Sequence, residues 1–272
     1  MNVLLLHQMK VENQFHDLKS DGFTILKKII PKSAINNLKE NIYQSTFSNK
    51  MKSPDKILFV ANLFKHNQSI AKYLLNTKLT NLIKLCLGEH HKISFVSSII
   101  NEPGTSRGKW HTDWPFNRHN AGHIDSPYPD AIMHITTVWM LSEFSHENGG
   151  TLILPKSHKN SFNPTSYSKD PILLNLDNEM NVTGDPGDVL VFDSRLWHAT
   201  ASNLTNDPRI SVIIRFAPWW LNLDVLKPGS RQRKFLLNST KLPENVIPLF
   251  TKSEFNNLPD KIKPLMIQYL NM

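Results

Sequence analysis

The sequence predicts a mainly β fold, a sandwich or jelly roll with helices packed outside it. Two observations carry this. From Lys92 onward the chain breaks into short β-branched and aromatic runs bounded by turn residues, at 93–100, 131–141, 151–154, 189–192, 196–202 and 209–218. Upstream, apolar residues recur at helical spacing instead, as in Ile35, Leu38 and Ile42. No repeat, low-complexity tract or linker divides the chain. One domain over 1–272 is expected, with helices at about 31–88 bracing a core at about 92–218 and a C-terminal extension at 221–272.

Taken in order, Phe23-Thr24-Ile25-Leu26 reads as a strand, and Ser33 as the N-cap of a helix reaching about Thr46. Two further helices are expected at 67–76 and 78–87. The second buries Leu79, Leu82, Ile83 and Cys86 and stops at Gly88, a residue suited to a helix end. Asn101-Glu102-Pro103-Gly104 ends the first strand of the β region. Residues 115–130 hold three prolines and little periodicity, so they read as a loop over the site. A polar loop is expected at 160–183, a turn at Asp185-Pro186-Gly187-Asp188, and a hairpin joining 196–202 to 209–218. A last helix is expected at 259–270.

Composition excludes several classes. Cys86 is the only cysteine, so no intrachain disulfide framework exists. The opening run Val3-Leu4-Leu5-Leu6 is too short for a signal-peptide core, and no later stretch has the roughly 18 apolar residues of a membrane span. A soluble, cytoplasmic protein with no membrane partner is expected. The formal net charge of +8 comes from scattered basic residues, so nucleic acid is not an expected partner. That charge serves solubility in the plain reading, and attraction of an anionic small molecule in the sharper one.

The specific chemistry lies in Trp110-His111-Thr112-Asp113, taken with His198 in Leu196-Trp197-His198-Ala199-Thr200. Alternate side chains of an extended strand share a face, so His111 and Asp113 project together. Two imidazoles and one carboxylate on one face of a metal leave three positions open, which suits non-haem Fe(II) oxygenases. Each residue also has a plainer reading, His111 as a surface histidine and His198 as a core histidine bonded to a carbonyl. In the expected hairpin, Thr200 lies opposite Arg209, and Arg209 then points to the metal face. A buried arginine there needs an anion, and a dicarboxylate would chelate the metal at one end and meet the guanidinium fork at the other. The alternative for Arg209 is an ion pair with Asp207 at the turn.

These residues, with Asn148-Gly149-Gly150-Thr151-Leu152-Ile153-Leu154-Pro155-Lys156-Ser157-His158-Lys159, Pro186-Gly187-Asp188 and an arginine eleven residues after His198, resemble the phytanoyl-CoA dioxygenase family. The resemblance runs from about Lys92 to Pro218. It implies a double-stranded β-helix, a cupin-like jelly roll. It further implies an Fe(II)- and 2-oxoglutarate-dependent dioxygenase that uses O2 to hydroxylate a small organic substrate and releases succinate and CO2. By the same resemblance His111, Asp113 and His198 are the iron ligands, Arg209 and Thr200 bind the distal carboxylate of 2-oxoglutarate, and Trp139 and Ser98 line the co-substrate. Where some members supply a co-substrate lysine, this chain has Val60, with Lys56 nearby as a substitute. Related halogenases replace the carboxylate ligand with a small residue; Asp113 keeps it here, which favours hydroxylation.

For the substrate, Arg107, Lys109 and Arg118, with the rings of Trp114 and Phe116, are expected at the mouth of the pocket, where a cation would hold an anionic group. The alternative is that all three cations are solvated. His119, His123, His134 and His146 are expected in or near loops and solvated, and Trp219-Trp220 either in the core or as substrate walls. Two rival functions remain, a jelly-roll metal protein without oxygenase activity and an inactive relative that binds a ligand. Neither needs a carboxylate clamp eleven residues after a metal ligand.

Overall fold

The computed structural model describes residues 3–51, 56–114, 130–160, 164, 176–240 and 246–271, without side chains at 3–9 and 236–240. In chain order the elements are α1 (Val3–Ser20), β1 (Phe23–Leu26), α2 (Lys32–Asn49), β2 (Ile57–Ala61), α3 (Thr77–Leu87), β3 (Lys92–Asn101) and β4 (Ile135–Met140). They continue as β5 (Thr151–Ile153), β6 (Met180–Asn181), β7 (Val189–Asp193), β8 (His198–Thr200), β9 (Arg209–Ala217), α4 (Arg231–Thr240), α5 (Lys252–Asn256) and α6 (Lys263–Met266). The strands form a six-stranded sheet, ordered β1-β7-β4-β9-β3-β2, and a three-stranded sheet, β6-β5-β8. All of the pairings are antiparallel. This is the jelly-roll core with flanking helices.

The two faces of the large sheet do different work, because successive side chains alternate across it. Ile135 and Trp139 of β4, Val189 and Val191 of β7, and Val212 and Ile214 of β9 share one core with Leu18, Ile42 and Leu82 of α1, α2 and α3. Val138, Met140, Leu190 and Phe192 point the other way, toward Ile153 of the small sheet. Leu152, Ala199 and Trp197 cover the outer face of the small sheet with Trp110. The helices therefore brace one face of the large sheet, and the small sheet closes the other.

Several expected elements differ. Helix α2 is capped at Pro31 with no side-chain bond, so Ser33 lies inside the helix; proline fits there because the first turn needs no amide donors. The helix expected at 67–76 is a short 3-10 turn, Ala71–Leu75. Asn76 caps α3 by accepting from Lys78 N, and Gly88 ends it at φ +85°. The last helix breaks into α6 and a 3-10 turn, Ile267–Tyr269. The turn before β7 needs its glycine: Gly187 sits at φ +100°, and a Cβ there would lie 2.4 Å from Ile30 O.

The expected hairpin does not form. β8 pairs with β5 in the small sheet, with Thr200 opposite Thr151, while β9 lies between β4 and β3 in the large sheet. The connection crosses between the sheets, held by Asn203, whose Nδ2 donates to Asn101 O and to Asp207 O. Among the described residues no helix is long and apolar enough to cross a membrane.

Candidate active site

His111 and His198 meet across an isolated antiparallel bridge, each amide donating to the other's carbonyl at 3.0 Å. Directly opposed residues of an antiparallel pair project to one side, so the rings stand 4.2 Å apart between centroids. Their Nδ1 atoms are both committed: His111 donates to Lys109 O and His198 to Leu196 O, each at 2.9 Å. A ring whose Nδ1 carries the proton presents Nε2 as a lone pair, which is the state a metal binds. Burial, followed by His111, pushes the His198 imidazole down to about 4, so it is neutral near pH 7.

Asp113 follows two residues after His111 and completes the group; the potential ligand atoms of the three residues all lie within 4.8 Å of one another. Its Oδ2 accepts from Thr136 Oγ1 at 2.8 Å and lies 3.6 Å from His198 Nε2. Its Oδ1 accepts from Arg215 Nη2 at 2.5 Å. Burial alone would raise this carboxyl, but Arg215, then His198, His111 and the Thr136 bond outweigh it and hold it well below the usual carboxylate range. The donor set, two imidazoles that present Nε2 and one carboxylate, fits a divalent transition metal.

The triad opens on a cavity between the sheets that is also lined by Thr136, Thr200, Arg209, Ser211 and Arg215. Arg209 is 4% exposed. It donates from Nε to Gly149 O at 2.9 Å and from Nη1 to Ser211 Oγ at 2.6 Å, and its guanidinium lies over the Phe144 ring. Burial without a counter-ion pushes it down to about 9, still charged near neutral pH. No described carboxylate forms an ion pair with it, and the expected alternative partner Asp207 does not reach it. Thr200 and Arg209 thus share one cavity, as the hairpin would have had them, but from opposite sheets.

Other expected site residues lie elsewhere. Trp139 is fully buried on the helix-facing side of β4, its Nε1 donating to Thr137 Oγ1, while Thr136 and Val138 face the cavity. Ser98 likewise faces α2, where it accepts from Thr46 Oγ1; its neighbour Ile99 is the cavity residue. Both expectations miss by one position, which in a strand means the opposite face. Lys56 is exposed beside Gly104 and does not line the cavity. Arg107 forms a two-pronged pair with Glu179, at 3.0 and 2.7 Å, and lines a separate groove with Asn181 and Leu204. Lys109 is exposed, and Trp114 is buried outside the cavity lining. Phe116, Arg118, His119 and His123 lie outside the described residues, as does the loop expected over the site up to position 129. Trp219 and Trp220 are exposed.

His134 is not solvated. It is 1% exposed, and its Nε2 and Nδ1 each lie 2.7 Å from a serine hydroxyl, Ser94 Oγ and Ser194 Oγ. Ser194 Oγ also bonds Thr136 Oγ1, so a chain of buried polar groups leads from His134 to Asp113. Sequence reading missed Ser211, Thr136 and Arg215 as well. A signal for two of them existed: positions 211 and 215 share the two-residue period of Arg209 on one strand.

Comparison with known proteins agrees with this fold. "Dioxygenase af480" of Aspergillus fumigatus is 29% identical over 143 residues, 53% of this chain and 42% of that protein. The chain spans less than half the length of the curated relatives it matches. Among solved structures, EctD from S. alaskensis with 2-oxoglutarate and 5-hydroxyectoine superposes with a TM-score of 0.60 at 17% identity, covering 76% of this chain and 75% of that one. The epimerase SnoN, in complex with Fe3+, alpha ketoglutarate and nogalamycin RO, gives a TM-score of 0.64 at 14% identity, covering 89% and 97%. The family model for phytanoyl-CoA dioxygenase (PhyH) matches residues 18–211, well over half of the chain, and the protein belongs to that family.

Proposed function

We propose that the protein is an Fe(II)- and 2-oxoglutarate-dependent dioxygenase that hydroxylates a small organic substrate. The observation that carries this reading is Arg209, a buried guanidinium with no carboxylate partner among the described residues, in the same cavity as a two-histidine, one-carboxylate cluster. A buried charge left unpaired is costly, so the site suits an anionic ligand. A bifunctional anion that chelates a metal at one end and carries a carboxylate at the other satisfies both features, and 2-oxoglutarate is such a molecule. Structures of similar fold hold it with Fe3+ or with 5-hydroxyectoine.

The residues divide the work. His111 and His198 would hold the iron through Nε2, with Asp113 as the third ligand. Arg209 would grip the distal carboxylate, with the Thr200 hydroxyl beside it, and Ser211 fixes the guanidinium. Phe192, Val138 and Ile213 supply apolar wall, which keeps water sparse and strengthens the charged contacts. Bound iron would supply the oxidising power for converting a substrate C–H into C–OH with O2, 2-oxoglutarate being converted to succinate and CO2. Because Asp113 fills the carboxylate position, no ligand position is given up to a halide.

Arg107 is held by Glu179 and is not proposed as the substrate cation. The test is release of succinate from 2-oxoglutarate by the purified protein with Fe(II) and ascorbate, followed by a metabolite screen for compounds that stimulate it. A metal-dependent release that a single metabolite raises, with gain of one oxygen in that metabolite, is expected. No release under any substrate would overturn the reading in favour of a metal or ligand-binding protein.

A further inference from the structure

We propose that Arg215 is a positioning residue that restricts Asp113 to one ligating oxygen and so preserves the third open position on the metal. This rests on the metal site proposed above and concerns a residue that the metal does not touch.

The strand register puts Arg215 where it is needed. On β9 it stands opposite Thr136 of β4 on one side and Phe95 of β3 on the other. Its guanidinium lies over the Phe95 ring, 4.7 Å from the centroid, and reaches Asp113 Oδ1 through Nη2 at 2.5 Å. Both side chains of this pair are largely buried, 12% and 4% exposed, so the attraction is only weakly screened. The other oxygen, Oδ2, faces the imidazoles, 3.6 Å from His198 Nε2, and is oriented by Thr136. Thr136 is itself fixed by Ser194, and the Asp113 amide donates to Ser194 O at 2.8 Å.

A carboxylate offers about four lone-pair sites over two oxygens and chelates a metal when both face it. Here Oδ1 already holds a cation, which takes a lone pair and repels a second positive charge on the same atom. Only Oδ2 is offered to the metal. On a six-coordinate ion the difference decides the chemistry. Two histidines and one oxygen leave three positions, enough for a chelating 2-oxo acid and one more ligand. Two histidines and two oxygens leave two, and the 2-oxo acid fills both. Arg215 thereby keeps a position free without touching the metal.

The experiment counts open positions directly, by the water-proton relaxation of protein loaded with Mn(II). Wild type should carry three exchangeable waters and drop to one on addition of 2-oxoglutarate. R215M, and R215Q beside it, should bind Mn(II) as tightly as wild type or more tightly. Each should carry about one-third less relaxation enhancement and fall to none with 2-oxoglutarate. R215K, which keeps a cation at Oδ1, should restore the wild-type count. If R215M and R215Q carry three waters, or fold but lose Mn(II), the restriction is refuted. Should neither fold, a crystal structure of wild type with Mn(II) decides: Oδ2 on the metal and Oδ1 on Arg215 supports the proposal, both oxygens on the metal overturns it. Wild type that takes up neither Mn(II) nor 2-oxoglutarate would instead remove the functional reading beneath it.

Discussion

Replacing Arg209 by methionine tests the anion pocket most sharply. The side chain lies 4% exposed, with Nε and Nη1 committed to Gly149 O and Ser211 Oγ, which orients the remaining donors into the cavity. Two charge-assisted hydrogen bonds to a carboxylate, at about 1.5–3 kcal/mol each, amount to roughly 3–6 kcal/mol, or about 10²–10⁴ in affinity. The assay is thermal unfolding of the Mn(II)-loaded protein with and without 2-oxoglutarate. At about 100 times its dissociation constant the ligand stabilises wild type by about 2.7 kcal/mol. For a chain of this size that is a rise of about 5 °C in Tm. Arg209→Met should show almost none of that rise at the same concentration. Arg209→Lys keeps the charge but loses the fork, and should bind at least tenfold more weakly, about 1.4 kcal/mol. A methionine variant that is folded and retains the full rise would refute the assignment.

Three other outcomes follow from the geometry. His111→Ala or His198→Ala should abolish tight metal uptake, read by metal analysis after desalting, while circular dichroism stays as in wild type. Trp139→Phe should lower Tm through lost core packing, with Trp139→Ala costing about 3–5 kcal/mol, yet the phenylalanine variant should leave the KM for 2-oxoglutarate unchanged, because the ring faces the helices; a raised KM would return Trp139 to the site. His134 is buried neutral, its imidazole pushed down to about 3 by burial, so the unfolded chain takes up a proton that the folded one refuses. Its contribution is to make stability fall as pH drops from about 6.5 toward 3, and urea unfolding of His134→Asn should show a shallower fall over that window than wild type.

The legible parts of this site are those that short-range periodicity encodes. The two-residue spacing of His111 and Asp113 is local, whereas the apolar strand around His198 suits a core histidine equally well, and its role as partner comes through the family resemblance. Arg209 reaches the cavity of His111 and His198, but from the large sheet and not through the expected hairpin. Pairing 196–202 with 209–218 assumed that neighbouring strands share a sheet, whereas Asn203 ties the turn to β3 and sends the chain across. Trp139 and Ser98 were assigned through resemblance, without a register to check them, and a single step along a strand reverses the face. The Arg107 pair with Glu179 joins residues 72 positions apart, and nothing local in either sequence announces it. Nothing local marks His134 as buried, because its partners are distant in sequence, Ser94 on β3 and Ser194 in the turn after β7.

In the proposed function the triad and Arg209 form one site for a metal and a 2-oxo dicarboxylate. Calorimetric titration of 2-oxoglutarate into the protein, anaerobically, with Fe(II) bound and again after chelation, tests it most directly. One equivalent should bind tightly with Fe(II) present and at least a hundredfold more weakly without it. Binding that is indifferent to the metal, or absent from the Fe(II)-loaded protein, would contradict the account.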